Sequence, residues 1–244
     1  MQYYCKKWVF YSLWLYFVSS SHAIDLRNAA IKDGQTVAIY TGAFDPIHLG
    51  HDEVIRYALS NNIANHVIVA PDSKFNQHKP FITDIKQRNM LLSFLYDTEA
   101  TIVTTDLNYQ AILNYLSEKF KNIKRIAILG SDNYLRHVQE DIIPTLTADT
   151  WLLIPRDKDK NNPLLKKHTS FVGQPIILAD IKYLKYQGYS STQVRNLRQS
   201  HPEFILDYLT HHLINFQLIP QQEILFVILN CIKISLQTLQ SQAH

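Results

Sequence analysis

The sequence predicts an α/β fold, in which a doubly wound parallel sheet is followed by a helical C-terminal extension. Short apolar runs rich in β-branched residues alternate with amphipathic stretches, a pattern typical of a parallel sheet covered by helices on both faces. The composition, 46% hydrophobic and 18% charged, is that of a globular protein. From Glu203 onward, apolar residues recur at helical spacing.

Strands and helices are predicted in alternation along the first two thirds of the chain. The predicted strands are residues 37–40, 66–70, 100–104, 125–129, 151–154 and 176–178. The predicted helices are residues 52–61, 85–96, 110–121 and 132–141. The charged segment 156–168 carries Pro163 and is predicted to be an exposed loop. Sheets of this kind bind ligands at the carboxyl ends of their strands, near the topological switch point.

The first 23 residues have the pattern of a secretory signal. Lys6 and Lys7 precede an apolar run over residues 8–18, and a segment of small residues ends at Ala23. This pattern predicts cleavage after Ala23 and export to the periplasm or the medium. An uncleaved membrane-surface anchor and a misassigned start are the alternatives. With Cys5 inside this segment and Cys231 near the other end, no disulfide framework is predicted.

Residues 201–244 are predicted to form a helical extension. The apolar positions of this segment favour packing against the core, with contact to a partner or a membrane surface as the alternative. The net charge of +3 is too small to indicate a nucleic-acid surface.

The segment GAFDPIHLGH, residues 42–51, is the first candidate site. It follows a predicted strand and precedes a predicted helix, and free N–H groups at a helix N-terminus favour an anion. Gly42 allows close backbone approach to a ligand, and His48 and His51 can donate hydrogen bonds to phosphate oxygens. The alternatives are a metal site, for which no third ligand is evident, and histidines that only cap the helix or fill the core.

The segment SSTQVR, residues 190–195, is the second candidate site. It follows Gly188 and begins a helical pattern, so one of its hydroxyl residues is expected to be the N-cap. Hydroxyl groups, helix N–H groups and the Arg195 guanidinium also suit a phosphate.

Together the two segments resemble the nucleotidylyltransferase superfamily, and within it the bacterial nicotinate-nucleotide adenylyltransferases. The family pattern is G-x-F-D-P-x-H-x-G-H early and S-S-T-x-x-R late. Weaker similarities are found at residues 75–80, 87–91, 130–132 and 154–156, and the resemblance spans about residues 35–220. It implies a Rossmann-like nucleotidylyltransferase domain over residues 35–200.

The resemblance implies adenylyl transfer from ATP to nicotinate mononucleotide, which gives deamido-NAD and pyrophosphate. The implied catalytic residues are His48, His51 and Arg195. ATP would be bound by Thr41, Gly42, Ala43, Phe44, His48, Gly50, His51, Gly130, Asp132, Ser190, Ser191, Thr192 and Arg195. Asp45, Lys79 and Arg88 would bind the acceptor. Mg²⁺ would accompany ATP and keep several waters, so no cluster of protein metal ligands is expected.

The acceptor is less well defined than ATP. The family's serine-tyrosine-threonine segment is replaced by residues 108–111, Asn-Tyr-Gln-Ala, and the tryptophan expected after residues 130–132 is missing. In the family those segments help to hold the nicotinate ring. Nicotinamide mononucleotide or another phosphate is therefore an alternative acceptor, and an exported, non-catalytic nucleotide-binding module is an alternative of another class. The family implies a cytoplasmic enzyme, whereas the leader implies export.

Overall fold

The structure is a computed structural model of the chain. It describes residues 26–45, 47–72, 85–96, 99–140, 147–167 and 169–186, together with Gly188, Ser190, Ser191 and Gln193. The chain divides into two compact units, Met1–Gly188 and Tyr189–His244. The first unit contains the sheet and all of the described residues except Ser190, Ser191 and Gln193.

The described part of the first unit contains a sheet of seven strands. The strands are β1 (Thr36–Gly42), β2 (His66–Pro71), β3 (Ile102–Thr104), β4 (Lys124–Gly130), β5 (Thr150–Ile154), β6 (Ser170–Phe171) and β7 (Gln174–Leu178). The α-helices are α1 (Leu49–Ser60), α2 (Ile85–Tyr96), α3 (Tyr109–Lys119), α4 (Ser131–Gln139) and α5 (Leu164–Lys167). Short 3₁₀ turns form at Leu26–Asn28 and Ile181–Tyr183.

The strand order is β3-β2-β1-β4-β5-β7-β6, which places β1 and β4 side by side. All neighbouring strands are parallel except β6 and β7. The chain builds the sheet outward from β1 to β3 and then returns to β4 on the other side of β1. The switch point therefore lies between β1 and β4, where a ligand is expected outside the carboxyl ends of the strands.

Both faces of the sheet are buried at its central strands, as the continuous apolar runs predicted. All residues of β2 and β5 are buried. The side chains of Val37, Ile68 and Leu152 are at most 1% exposed, as is that of Ile112 on α3. Each such burial contributes about 1.5–3 kcal/mol relative to an exposed side chain. The α/β fold with a mostly parallel sheet is confirmed.

The sequence correctly predicted the elements that position the site. Each predicted strand and helix corresponds to an observed one, with ends shifted by a few residues. The prediction of a plain exposed loop over 156–168 was wrong in part, because α5 forms there and Leu165 is only 2% exposed. Strand β6 was not predicted.

The predictions for the two ends of the chain fall outside the described residues. These predictions are the signal over 1–23 and the helical extension over 201–244, and both stay predictions. Within the part of the chain that the structure describes, no helix has the length and apolar character needed to cross a membrane.

Candidate active site

The first predicted motif lies at the switch point of the sheet. Residues 43–48, here called the β1–α1 turn, connect the end of β1 to the start of α1. Gly42 ends β1 and Gly130 ends β4, and the two strands are neighbours. The starts of α1 and α4 therefore follow adjacent strands and lie at the same edge of the sheet. Two helix N-termini at one edge favour a negatively charged ligand there.

His48 and His51 cap the start of α1 reciprocally. His48 is the N-cap in extended conformation, and its Nδ1 accepts a hydrogen bond from Gly50 N at 3.1 Å. His51 Nδ1 accepts from His48 N at 3.3 Å. The two rings stack with centroids 3.7 Å apart, and the residues are 2% and 7% exposed, respectively. Both histidines therefore cap the helix, and these hydrogen bonds hold both rings in place. Phosphate binding by the two histidines stays a prediction.

This capping arrangement assigns the tautomer of both imidazoles. A nitrogen that accepts a hydrogen bond carries no proton, so the proton of each neutral ring resides on Nε2. Two imidazolium charges at this ring separation would repel each other. In this tautomer each histidine carries its proton on Nε2, a type of donor that can bind a phosphate oxygen.

Phe44 adopts an unusual backbone conformation within the turn. Its φ is +44°, in the left-handed region that non-glycine residues rarely adopt. The ring is 1% exposed and makes edge contacts with Tyr40 and His51, at centroid distances of 5.2 and 4.9 Å. A Cβ at Gly42 would lie 3.3 Å from the Phe44 ring, so glycine leaves room for it. Such strain clusters at functional sites, where packing enforces it.

Arg88, on α2, connects the β1–α1 turn to the end of β2. Its Nη1 donates to Ala43 O at 2.6 Å and its Nη2 donates to Asp72 O at 3.0 Å. Asp72 N in turn donates to Gly42 O at 2.7 Å. Arg88 is 3% exposed and Asp45 is 2% exposed. Arg88 therefore stabilises the turn, and acceptor binding by Arg88 and Asp45 stays a prediction.

Two charged side chains, Asp132 and Arg156, lie near the end of β4. A Cβ at Gly130 would lie 2.6 Å from Asp132 Oδ1 and 3.7 Å from Arg156 Nε, so both groups approach the start of α4. Burial raises the pKa of Tyr40 to about 12, Arg156 lowers that pKa and Asp132 raises it. The electrostatic influence of both groups thus reaches β1. Ser131 holds the backbone of Arg156 in place, because its hydroxyl accepts from Arg156 N at 2.9 Å and donates to Asp159 at 2.8 Å.

Ser190 and Gln193, in the second motif, exchange the two hydrogen bonds of a capping box. Gln193 N donates to the Ser190 hydroxyl at 3.2 Å, and Ser190 N donates to Gln193 Oε1 at 2.9 Å. One of the hydroxyl residues was expected to be the N-cap, and Ser190 makes the hydrogen bonds of that position. Ser190 and Ser191 belong to the second compact unit, whereas Thr192, Arg195 and Lys79 lie outside the described residues. The contribution of these five residues to the site stays a prediction.

Sequence reasoning did not identify several residues that shape the site. Tyr40 appeared as an ordinary strand residue, and Ser131 as part of a weak family similarity. Glu53, on α1, accepts hydrogen bonds from Lys185 N and Tyr186 N, which are more than a hundred residues away in the chain. No local pattern reveals such a pairing.

No cluster of three or more potential metal-ligating side chains is found among the described residues. Mg²⁺ that accompanies nucleotide phosphates usually keeps several of its waters and takes few protein ligands.

The chain belongs to the cytidylyltransferase-like family, whose model matches residues 39–197. It is therefore a nucleotidyltransferase enzyme, and the non-catalytic alternative is set aside.

Among relatives, it is 24% identical over 173 residues to a probable nicotinate-nucleotide adenylyltransferase of Fusobacterium nucleatum, covering 66% of this chain and 86% of that protein. A protein of the same description from Aliarcobacter butzleri is 29% identical over 105 residues, covering 40% of this chain and 58% of the relative.

Solved structures share the fold. Plasmodium falciparum nicotinic acid mononucleotide adenylyltransferase complexed with NaAD superposes with a TM-score of 0.52 at 19% identity. The match covers 77% of this chain and 100% of that one. The complex of the same enzyme with APC gives a TM-score of 0.50 at 19% identity, with the same coverage.

Proposed function

We propose that this chain transfers the adenylyl group of ATP to nicotinate mononucleotide, releasing pyrophosphate and forming deamido-NAD. The observation that carries the proposal is the pair of helix-capping histidines at the switch point of the sheet, whose Nδ1 atoms accept backbone N–H groups and leave the proton on Nε2. The descriptions of the two bacterial relatives support this choice of acceptor.

The reaction needs no covalent enzyme intermediate. An oxygen of the acceptor's phosphate attacks the α-phosphorus of ATP and forms a new P–O bond. The bond from that phosphorus to the β-bridging oxygen breaks, and pyrophosphate leaves with the electron pair. The acceptor phosphate is already an anionic nucleophile near neutral pH, so catalysis consists of positioning and charge stabilisation.

The residues of the chain would act mainly as donors. His48 and His51 would donate Nε2–H to the ATP phosphates and stabilise the negative charge that develops on the leaving oxygen. Ser191, Thr192 and Arg195 would hold the β- and γ-phosphates. Asp45, Lys79 and Arg88 would lie on the acceptor side. Mg²⁺ bound with ATP would neutralise part of the phosphate charge.

A second acceptor is a candidate because of residues 108–111. Asn108 caps α3 by accepting from Ala111 N at 2.9 Å, and the Tyr109 hydroxyl donates to Thr147 O at 2.7 Å. These side chains replace the family's nicotinate-holding segment, and their hydrogen bonds stabilise the fold. Nicotinamide mononucleotide, or another phosphate, is therefore the alternative acceptor.

Pyrophosphate release from ATP and Mg²⁺ with a panel of acceptors tests the proposal. The panel contains nicotinate mononucleotide, nicotinamide mononucleotide and adenosine monophosphate, which lacks a pyridine ring. We expect the highest kcat/KM with nicotinate mononucleotide and deamido-NAD as the chromatographed product. A higher value with nicotinamide mononucleotide would select the alternative, and no release with any acceptor would contradict adenylyl transfer.

A further inference from the structure

Residues 180–186, here called the strap, lie along α1 and precede the second motif in the chain. Two side chains one helical turn apart on α1 hold the strap. Asp180 N donates to the Tyr57 hydroxyl at 3.0 Å. Lys185 N and Tyr186 N donate to the two carboxylate oxygens of Glu53, the latter at 2.9 Å. The strap is thus attached to α1 near both of its ends.

The strap also contacts the first turn of α1. A Cβ at Gly50 would lie 2.6 Å from Tyr186 O and 3.2 Å from His48 Nδ1. Tyr186 O and the His48 ring therefore both lie close to Gly50, and the space between them is too small for a methyl group. A displacement of Tyr186 would change the packing around the His48 ring.

The charge of Glu53 opposes the ligand proposed for this site. Glu53 lies five residues after His48 on α1, and a carboxylate near a triphosphate weakens binding by repulsion. Its two hydrogen bonds from strap N–H groups are of the strong, charge-assisted kind. Glu53 therefore has a structural role in holding the strap.

We propose that Glu53 is a positioning residue for ATP binding. By holding Lys185 and Tyr186 against Gly50, it fixes the His48 ring and the backbone that leads toward the second motif. This inference rests on the proposed function, because it takes ATP as the ligand of the β1–α1 turn.

Calorimetric titration of the full chain with ATP and Mg²⁺, without acceptor, tests the role of Glu53. Glu53→Gln keeps the size of the side chain but presents an NH₂ group to one of the two strap N–H groups. We expect ATP affinity to fall on the order of tenfold, as for the loss of a hydrogen bond to a charged group. Glu118→Gln, at an exposed position of α3, is the matched control and should bind ATP as the wild type does.

The direction in which ATP affinity changes separates a positioning role of Glu53 from a purely electrostatic one. If only the charge mattered, Glu53→Gln would bind ATP more tightly than the wild type. Positioning also predicts that the KM for ATP rises in turnover, while the KM for the acceptor stays unchanged. An E53Q variant with wild-type or tighter ATP affinity, or with both KM values raised in parallel, would overturn the proposal.

Tyr57→Phe provides a second, uncharged test of the strap. It removes only the hydroxyl that accepts from Asp180 N, and we expect ATP affinity to fall by about two- to tenfold. If E53Q shows no melting transition, unchanged ATP affinity in Y57F overturns the proposal. A wild type that binds ATP but transfers nothing contradicts the proposed function, and the comparison of ATP affinities still decides the role of Glu53.

Discussion

At the scale of single residues, His48 and His51 combine a structural role with a chemical one. Their Nδ1 atoms complete the start of α1 by accepting backbone N–H groups. The same bonds place the remaining proton of each ring on Nε2. A helix cap made from serine or asparagine would satisfy the N–H groups equally well but would not supply these two ring donors. The same two side chains therefore contribute to the fold and to the proposed chemistry.

We expect His51→Ala to lower adenylyl transfer by about 10²–10³, the usual effect of removing a donor to a transition-state oxyanion. The fold should survive, because the His48 side chain still accepts from Gly50 N. The measurement is kcat with saturating ATP and acceptor, together with a thermal melt. His137→Ala, in the last turn of α4, is the control. Turnover near that of the wild type in the His51 variant would show that His51 is only a cap.

The two sequence motifs missed several site residues for one physical reason. A motif records side chains that are close in the chain, and His48, His51 and Gly42 were identified in that way. Glu53 contacts residues 132 and 133 positions away, so its sequence context is that of an ordinary helix position. Tyr40 lies among apolar strand residues, and only the fold brings Arg156 and Asp132 near it.

At the scale of elements, the sequence predicted strands and helices correctly where the spacing of the apolar residues matches the burial of the element. Strand β2 is buried along its whole length, so its apolar run was unambiguous. The β6–β7 hairpin was missed because its two-residue turn is Val172-Gly173, with φ values of +52° and +76°. Turns of this kind usually carry asparagine, aspartate or glycine at the first position, and valine gives no such signal.

The ion pair beside β4 and β5 predicts a pH-dependent stability. Asp149 accepts from Arg125 N, Nε and Nη2, and these bonds from Arg125 hold the pKa of Asp149 below its usual value. The ion pair stabilises the protein fully when the pH is above the pKa of an unfolded aspartate, about 3.9. This stabilisation is lost as the pH falls through the lower pKa of Asp149 in the folded protein. We expect Asp149→Asn to destabilise the protein near neutral pH by at most about 1 kcal/mol, because the pair is partly exposed.

Urea unfolding across a pH series measures this effect. The difference between the wild type and Asp149→Asn should persist from neutral pH to about pH 4 and shrink only below that value. Asp106→Asn, at an exposed position after β3, should show no such difference. A stability difference for Asp149→Asn that is the same at all pH values would contradict the assigned ion pair.

At the scale of the whole molecule, periodicity predicted an α/β fold but not the order of the strands. The position of β4 beside β1 depends on which apolar faces pack together after β3, and no single segment encodes that choice. The family resemblance supplied the expectation of a Rossmann-like arrangement. Whether the second motif joins the β1–α1 turn depends on the second compact unit, so the complete ATP site stays a prediction.

The proposed reaction breaks the bond between the α- and β-phosphates of ATP and joins the adenylyl group to a mononucleotide. ATP labelled with ³²P at either the α- or the γ-phosphate, incubated with the full chain, Mg²⁺ and nicotinate mononucleotide, tests it most directly. The proposed reaction would place the α label in deamido-NAD and the γ label in pyrophosphate. Release of the γ label as free phosphate, with no α label in any dinucleotide, would contradict it.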